Sequence, residues 1–434
     1  MNNRILIITY YWPPSGGAGV QRWLKFSKYL PEFGIQPYVL TVKNPTYPFP
    51  DESLNQEVSD KVVVEKSLSI EPFALYGWLT GKDAGEVGSP VTGLKGEEQS
   101  WLTRLSQWVR ANVFIPDARR GWVPFSKRKA LQMVRKYDIG TVVTTGPPHS
   151  VHFIGSYLQR KTGIQWIGDF RDPWVDVHYN LYLPRTRPAI TVDRRYERRT
   201  LEKVDEAIVV SETMAKQFRN LYDRSYHVLT NGYDPADFPS EETGQEEIFT
   251  IRYVGKLGET VIPYGLIEAL SGISAEIPFR VEFIGNVHSR LPELVREYGL
   301  EDIVTFRSYM PMKKANRELC KAHLQLLILP DTPGNELILS GKLFNYIGAG
   351  RPILMIGPTK GDAAKIIKDY NFGACFEHNE VDEIRIWLEE ALASHKKEGK
   401  ILQKDLESGS PAPEIFSRKY LTGELAGLIK KYDQ

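Results

Sequence analysis

Two short segments of the sequence combine residue types that bind anions. The first is "YYWPPSGGAGVQR" at residues 10–22, where three glycines follow two prolines. Gly16 and Gly17 stand between an apolar run and an amphipathic stretch, so we expect bare backbone amides at the start of a helix, a geometry that binds an anion or a sugar. The alternative is that these glycines only form a tight turn between a strand and a helix.

The second segment is "SGKLFNYIGAGRPI" at residues 340–353. Ser340 is typical of a helix N-cap, Lys342 falls in the first turn, and Gly350 ends the helix. A cation in the first turn opposes the helix dipole, so a bound anion best explains Lys342. We therefore expect Lys342 and the free amides of this turn to hold a diphosphate without a metal. The alternative is a solvated lysine near a helix end.

The sequence fits neither a dinucleotide-cofactor site nor a zinc site. A dinucleotide fingerprint needs a third glycine where Arg22 stands, and the next strand ends in Lys43 rather than in an acid for a ribose. Cys320 and Cys375 are the only cysteines and lack the spacing of a zinc site. We expect no cofactor, no structural metal and a reducing compartment.

Strands and helices must alternate along the chain to position these segments. Apolar runs such as "RILIIT" (4–9) and "TVVTT" (141–145) in the first half, and "FTIRYVG" (249–255) and "LQLLIL" (324–329) in the second, are each followed by a helical pattern. This alternation predicts an α/β fold with parallel sheets. We expect two doubly wound, Rossmann-like domains that face a central cleft, because ligands of such sheets bind outside the carboxyl ends of the strands.

The predicted domains follow from the length of 434 residues and from a polar linker at residues 234–247. The first spans residues 1–225 and carries an insertion around residues 71–121, predicted as an exposed loop or partly disordered. The second spans residues 226–415. Residues 416–434 form a helix expected to return to the first domain.

Composition and charge exclude several classes of protein. The apolar fraction is 42%, and the net charge of +1 argues against a nucleic-acid partner. No apolar run reaches the roughly 18 residues that span a bilayer, and the apolar segment before Pro13 is too short for the core of a signal peptide. We expect a cytoplasmic protein.

Two further features bear on the reaction and its location. His149 and His152 follow a strand end, where catalytic groups gather, although a capping or packing role is equally consistent. Residues 109–137 contain eight Lys/Arg and one acid, with Phe114, Trp122 and Phe125 interleaved. This stretch could rest on anionic lipid at the inner membrane face and admit a lipid-linked acceptor; a solvated basic surface is the alternative.

The order of the motifs resembles that of the GT-B glycosyltransferases, in particular glycosyltransferase family 4 and its bacterial envelope-polysaccharide branch. The two segments above carry this resemblance together with five others that span nearly the whole chain: "TTGPPHSVH" (144–152), "GDFRDPW" (168–174), "LTNGYDPADF" (229–238), "RYVGKL" (252–257) and "IVTFRSYMP" (303–311). The resemblance implies transfer of a sugar from a nucleotide-sugar donor to a saccharide or lipid-linked acceptor, in envelope polysaccharide synthesis, without a metal and with retention.

The resemblance also implies roles for individual residues on the donor side. Gly16 and Gly17 would lie against the donor diphosphate, which Lys256 and Lys342 would also bind. The family's second glutamate, which contacts the nucleotide ribose, matches Asn345. Its first falls on Leu337, with Glu336 one residue early, so the contact of Glu336 with the donor sugar departs from the family pattern.

On the acceptor side, the family's histidine after the fifth strand matches Arg171. Together with Asp169 and Asp172 it forms a cluster that is either catalytic or a structural ion-pair knot. Arg171, Asp172, His149 and Glu336 are the candidate catalytic residues. Two other functions stay open: a nucleotide-sugar epimerase or phosphorylase of related fold, and a non-catalytic relative that binds a glycan or a partner.

Overall fold

The computed structural model describes residues 3–45, 50–70, 101–177, 180, 183–241, 243–274, 277–398 and 413–431. They form two compact units. Unit 1 contains the described residues up to Thr230 and those from Arg418 onward, and unit 2 contains those of Asn231–Ser417.

Unit 1 is built on a seven-stranded sheet in which every pairing is parallel. The strand order is β3-β2-β1-β4-β5-β6-β7, so the chain reverses its direction of travel across the sheet between β1 and β4. The strands are β1 (Arg4–Ile8), β2 (Gln36–Val42), β3 (Val63–Ser67), β4 (Thr141–Gly146), β5 (Gln165–Phe170), β6 (Glu206–Val209) and β7 (His227–Val228).

Helices cover both faces of this sheet, which explains why the strands are continuously apolar. Leu6 and Ile8 of β1 pack into one core, whereas Ile5 and Ile7 pack into the core on the opposite face. The last helix, α13 (Arg418–Lys430), packs against the first, α1 (Ala18–Tyr29), within the second of these cores. The helices of unit 1 are α1 (Ala18–Tyr29), α2 (Trp101–Asn112), α3 (Val123–Lys136), α4 (His152–Thr162), α5 (Arg187–Lys203), α6 (Glu212–Leu221) and α13 (Arg418–Lys430).

Unit 2 repeats the topology with six parallel strands in the order β10-β9-β8-β11-β12-β13. Its strands are β8 (Phe249–Val254), β9 (Phe279–Ile284), β10 (Val304–Arg307), β11 (Leu324–Ile328), β12 (Ile353–Ile356) and β13 (Gly373–Phe376). Its helices are α7 (Tyr264–Ser271), α8 (Arg290–Glu297), α9 (Met312–Lys321), α10 (Gly341–Ala349), α11 (Asp362–Asp369) and α12 (Val381–Glu398). The reversal lies between β8 and β11, the strands that precede Gly255 and α10.

The α/β class with doubly wound parallel sheets is confirmed. The division between the units falls after Thr230, and the predicted linker at residues 234–247 belongs to unit 2 and includes the short 3-10 turn Pro235–Asp237. Of the predicted insertion, residues 71–100 lie outside the described residues. Residues 101–112 of the predicted insertion form helix α2 and not a loop.

Candidate functional site

A crevice opens in unit 2 at the carboxyl ends of its strands, where ligands of doubly wound sheets bind. It encloses about 200 Å³. Gly255 after β8 and Gly285 after β9 supply its backbone wall, whereas Tyr309 and Met310 after β10 supply an apolar wall. Lys342 and Asn345 enter it from α10. The crevice therefore combines one cation, the side-chain amides of Asn316 and Asn345, and bare backbone with apolar surface.

The ammonium group of Lys342 is a desolvated cation in this crevice. Ser340 caps α10 by accepting a hydrogen bond from the backbone amide of Lys342 at 3.3 Å, as predicted. The Lys342 ammonium lies 4.4 Å from the centre of the Tyr253 ring and donates to the Tyr253 hydroxyl and, at 3.3 Å, to the Lys256 carbonyl. Burial lowers its pKa to about 8. Within the described part of the chain it has no carboxylate partner.

The absence of a side chain at Gly255 leaves room for the Lys342 side chain. A Cβ at this position would lie 2.6 Å from Cε of Lys342, and the backbone φ of +137° disfavours any side chain. Tyr346, on the same helix, accepts a hydrogen bond from the amide of Val254 at 3.0 Å and fixes α10 to the end of β8. Two contacts, one at Gly255 and one at Val254, therefore hold the lysine against the sheet.

The other donor-side candidates of unit 2 lie differently. Asn345 is one turn after Lys342 and lines the same crevice. Lys256 is exposed and meets Lys342 through its carbonyl oxygen. Glu336 is exposed in a 3-10 turn and does not line the crevice. The structure thus brings Lys342 and Asn345 together and leaves Glu336 apart from them.

In unit 1, Gly16 and Gly17 occupy the corresponding reversal, after β1. Gly17 is the N-cap of α1, has φ of +90° and ψ of 171°, and offers no side chain to the first turn. This region of backbone space is essentially restricted to glycine. The backbone conformation therefore requires glycine. A Cβ at Gly17 would meet nothing within 4 Å, so the space beside this residue is open.

Arg171 joins the first turn of α1 to the end of β4. Its guanidinium donates from Nη1 to the Gly19 carbonyl at 2.6 Å, from Nε to Gly146 at 3.2 Å and from Nη2 to Pro147 at 2.6 Å. Burial lowers its pKa, and the carboxylates of Asp169 and Asp172 oppose that shift. This geometry supports a positioning role for Arg171, while Asp172 is only half-buried.

Asp169 forms a separate ion-pair knot. It is fully buried and pairs with Arg22 at 3.0 Å, not with Arg171. The indole of Trp23 donates to it at 2.7 Å and the hydroxyl of Thr145 at 2.8 Å. Asp169 is therefore a structural anchor of α1 and pairs with Arg22 rather than with Arg171.

His149 and His152 are buried neutral imidazoles. His149 stacks on Trp174 at 4.7 Å, and burial holds its pKa well below the ordinary value. His152 shares a hydrogen bond of 2.8 Å with the Thr144 hydroxyl, and burial lowers its pKa to about 3. Neither nitrogen of His149 has a hydrogen-bond partner within the described residues.

Several residues of the site were missed at the level of sequence. Tyr253, Gly255 and Tyr346 fix the lysine in unit 2, and Arg22 fixes Asp169 in unit 1. A glycine directly after a predicted strand was the available signal for Gly255. No sequence signal pairs Arg22 with Asp169, because the two are brought together only by the sheet. Within the described residues no group of three potential metal ligands occurs, and no helix is both long and apolar enough to cross a bilayer.

Residues 88–237 match the model of Glycosyltransferase Family 4. None of the curated proteins compared with the chain matches it. Among solved structures, a glycosyltransferase from Rickettsia africae ESF-5 has a TM-score of 0.64 and 12% identity, covering 99% of this chain and 98% of the other.

Two further solved structures show the same fold. The sucrose-phosphate synthase of Thermosynechococcus elongatus has a TM-score of 0.62 and 13% identity, covering 99% of this chain and 98% of the other. HepE of Anabaena in complex with UDP and glucose has a TM-score of 0.60 and 13% identity, covering 99% of each chain. The structural likenesses establish the GT-B fold, and the family match adds the activity. The chain is a glycosyltransferase of the GT-B fold that resembles glycosyltransferase family 4.

Proposed function

We propose that this protein transfers a sugar from a nucleotide-sugar donor to a saccharide or lipid-linked acceptor in the synthesis of cell-envelope polysaccharide, with retention and without a metal. The observation that carries the donor assignment is Lys342, a desolvated ammonium with no carboxylate partner among the described residues, at the reversal of the unit 2 sheet. Such a cation is stabilised when an anion binds beside it.

A nucleoside diphosphate fits the crevice chemically. Its phosphates would contact the Lys342 ammonium and the backbone at Gly255, and its ribose the Asn345 amide, which both donates and accepts hydrogen bonds. HepE has been crystallised with UDP and with UDP-glucose, which makes UDP the first nucleotide to test. Comparing UDP with other nucleoside diphosphates identifies the base of the donor for this chain.

Catalysis then rests on the charge of the leaving group. Glycosyl transfer passes through an oxocarbenium-like state while the diphosphate gains negative charge. One preorganised donor at such a charge is worth about 10²- to 10³-fold in rate. Lys342 would supply it, Gly16 and Gly17 would offer further amides, and Lys256 would add positive charge. His149 and Asp172 would act as catalytic groups on the acceptor side. Arg171 would position the backbone at residues 19, 146 and 147 of unit 1.

Thermal unfolding with UDP, GDP and ADP tests the donor site directly. A nucleotide present at about 100 times its Kd stabilises the fold by about 2.7 kcal/mol, which raises the Tm of a unit of this size by about 5 to 11 °C. Lys342→Met should reduce that shift, whereas Lys365→Met, an exposed lysine of α11 paired with Asp369, should not. A chain that responds to none of these nucleotides, or responds equally in the Lys342 variant, refutes the proposed donor site.

The finer parts of the proposal have their own measurements. Transfer that continues in excess EDTA supports metal independence, and transfer that stops contradicts it. Proton NMR of the first-formed product reports the anomeric configuration, and inversion would exclude retention. Comparing a lipid-linked with a free saccharide acceptor decides which class the enzyme uses.

A further inference from the structure

Helix α2 presents an apolar stripe to solvent. Trp101, Leu105 and Trp108 recur at the spacing of one helical face, and they are 69%, 49% and 45% exposed. Val113, directly after the helix, is 56% exposed. No described residue covers this stripe. Two exposed tryptophans on one short helix are unusual for a surface that meets only water, because each leaves a large apolar area hydrated.

Helix α5 presents arginines to solvent. Arg187, Arg195, Arg198 and Arg199 are exposed and fall within about 120° of the helix circumference at 100° per residue. No described carboxylate forms an ion pair with any of the four, whereas Arg194 on the same helix pairs with Asp176 and with Glu197. One acid, Glu202, shares the exposed face. The face therefore carries uncompensated positive charge.

The two helices are joined where one ends and the other begins. Asn112, the last residue of α2, donates to the Pro184 carbonyl at 2.8 Å and accepts from the Thr186 amide at 2.7 Å. Thr186 is the N-cap of α5. The end of α2 and the start of α5 are therefore in contact on unit 1, and the apolar stripe and the arginine face are together called the Trp/Arg surface.

We propose that the Trp/Arg surface docks on an anionic lipid bilayer. Tryptophan side chains partition to the boundary between headgroups and acyl chains, and arginines near the surface attract anionic headgroups. The charge complementarity singles out a bilayer, because a second copy of this chain would bring arginines against arginines. This surface refines the peripheral membrane contact of the proposed function and so rests on it.

The basic stretch at residues 109–137 is a poorer docking surface than its composition indicates. Trp122 is completely buried and donates to Ser67 at 2.8 Å. Lys129 and Lys136 both pair with Glu65. The aromatic and basic residues of this stretch are therefore largely engaged within unit 1, and the membrane prediction moves from them to the Trp/Arg surface.

Flotation of the full chain with phosphatidylcholine vesicles, with and without about 30% phosphatidylserine, tests the proposal. We expect binding only with phosphatidylserine and at low salt. Removing one arginine should weaken binding about 5-fold, so Arg187→Gln, Arg195→Gln, Arg198→Gln and Arg199→Gln combined should weaken it more than about 100-fold. Trp101→Ser with Trp108→Ser should weaken it about 10-fold or more.

Two matched controls keep the same chemistry on unit 2. One removes four charges through Arg290→Gln, Arg296→Gln, Lys365→Gln and Arg385→Gln. The other removes two exposed apolar groups, Tyr298→Ser and Ile386→Ser, which are 39% and 49% exposed. Both controls should bind vesicles as the parent protein does. UDP binding is measured for every variant in the same preparation. Because only the donor-site proposal predicts UDP binding, a variant that binds UDP but not vesicles has lost the membrane contact alone.

Three outcomes overturn the proposal. The first is a parent protein that does not float with anionic vesicles at low salt. The second is flotation that the substitutions on the Trp/Arg surface leave unchanged. The third is a dimer, seen by light scattering, that dissociates in the tryptophan variant, which would assign the stripe to a second copy.

Discussion

Replacing Lys342 with Met should weaken UDP binding about 10- to 150-fold at pH 7, because a hydrogen bond to a charged group contributes about 1.5 to 3 kcal/mol. The same substitution should also abolish a pH dependence. With a pKa of about 8, roughly nine in ten Lys342 side chains are protonated at pH 7 and roughly one in ten at pH 9. Because the phosphates bind the protonated form, affinity of the parent protein should fall about 10-fold between these values.

Isothermal titration calorimetry in two buffers of different ionisation enthalpy measures both quantities. At pH 9 the parent protein should take up between about 0.4 and 0.9 of a proton for each UDP bound, because a 10- to 150-fold preference for the protonated form raises the pKa of Lys342 to between about 9 and 10. The Lys342→Met variant should take up none from this site. Lys365→Met is the matched control and should behave as the parent does. An affinity of the parent protein that is flat from pH 7 to pH 9, or a variant that retains the proton uptake, would show that Lys342 does not meet the phosphates.

Without ligand the substitution should act in the opposite direction. The folded pKa of Lys342 lies below the 10.5 of a lysine in the unfolded chain, so the unfolded chain binds more protons between pH 8 and 10.5, and the parent's unfolding free energy rises with pH in that window. At pH 7 the cost of burying the charge is fully present. Lys342→Met should therefore be as stable as the parent or more stable at pH 7, and urea denaturation at pH 7 and pH 10 should show the difference shrinking.

Three other substitutions test the remaining parts of the site. Asn345→Ala should weaken UDP and UDP-sugar alike, by about 0.5 to 1.5 kcal/mol, and calorimetry that finds only the sugar nucleotide affected would contradict a ribose contact. Arg171→Met should lower the unfolding free energy by about 3 kcal/mol, since three carbonyls lose their donor, whereas exposed Arg195→Met should change it by less than about 0.5 kcal/mol in urea denaturation. The parent protein should lose about 2 kcal/mol between pH 7 and pH 5 through His152, whose pKa of about 3 lies below the unfolded 6.5, so that the unfolded chain binds more protons there. His152→Gln should reduce this acid sensitivity in thermal unfolding, and an unchanged loss would place its origin elsewhere.

The fold class could be predicted from the sequence because its signals are local. A continuous apolar run such as "RILII" is typical of a strand covered on both faces, and the helical spacing that follows requires a crossover. The start and end of α10 are equally local, since Ser340 caps its own next turn and Gly350 adopts the left-handed conformation. Two strands were not predicted from the sequence. Strand β7 has only two residues, and β13 reads "GACF", without a β-branched residue.

The properties of individual side chains depended on residues distant in sequence. The sequence marked Lys342 as a cation in an unfavourable place, but its lowered pKa arises because strand β8 brings Tyr253 and Gly255 against it. Arg171 stands between two acids in the sequence, yet its guanidinium binds carbonyls at positions 19, 146 and 147.

The same distinction between local sequence and tertiary structure separates Trp122 from Trp108. Composition alone treats Trp122 and Trp108 alike, and both lie near basic residues. Trp122 is buried because Ser67 of β3 and the core of the sheet meet it, whereas Trp108 lies on a helix that no described element covers. Local sequence thus determined which elements form and where their ends lie. Burial, pairing and charge state were decided only by tertiary structure, because each depends on which distant groups the sheet order places within a few ångströms.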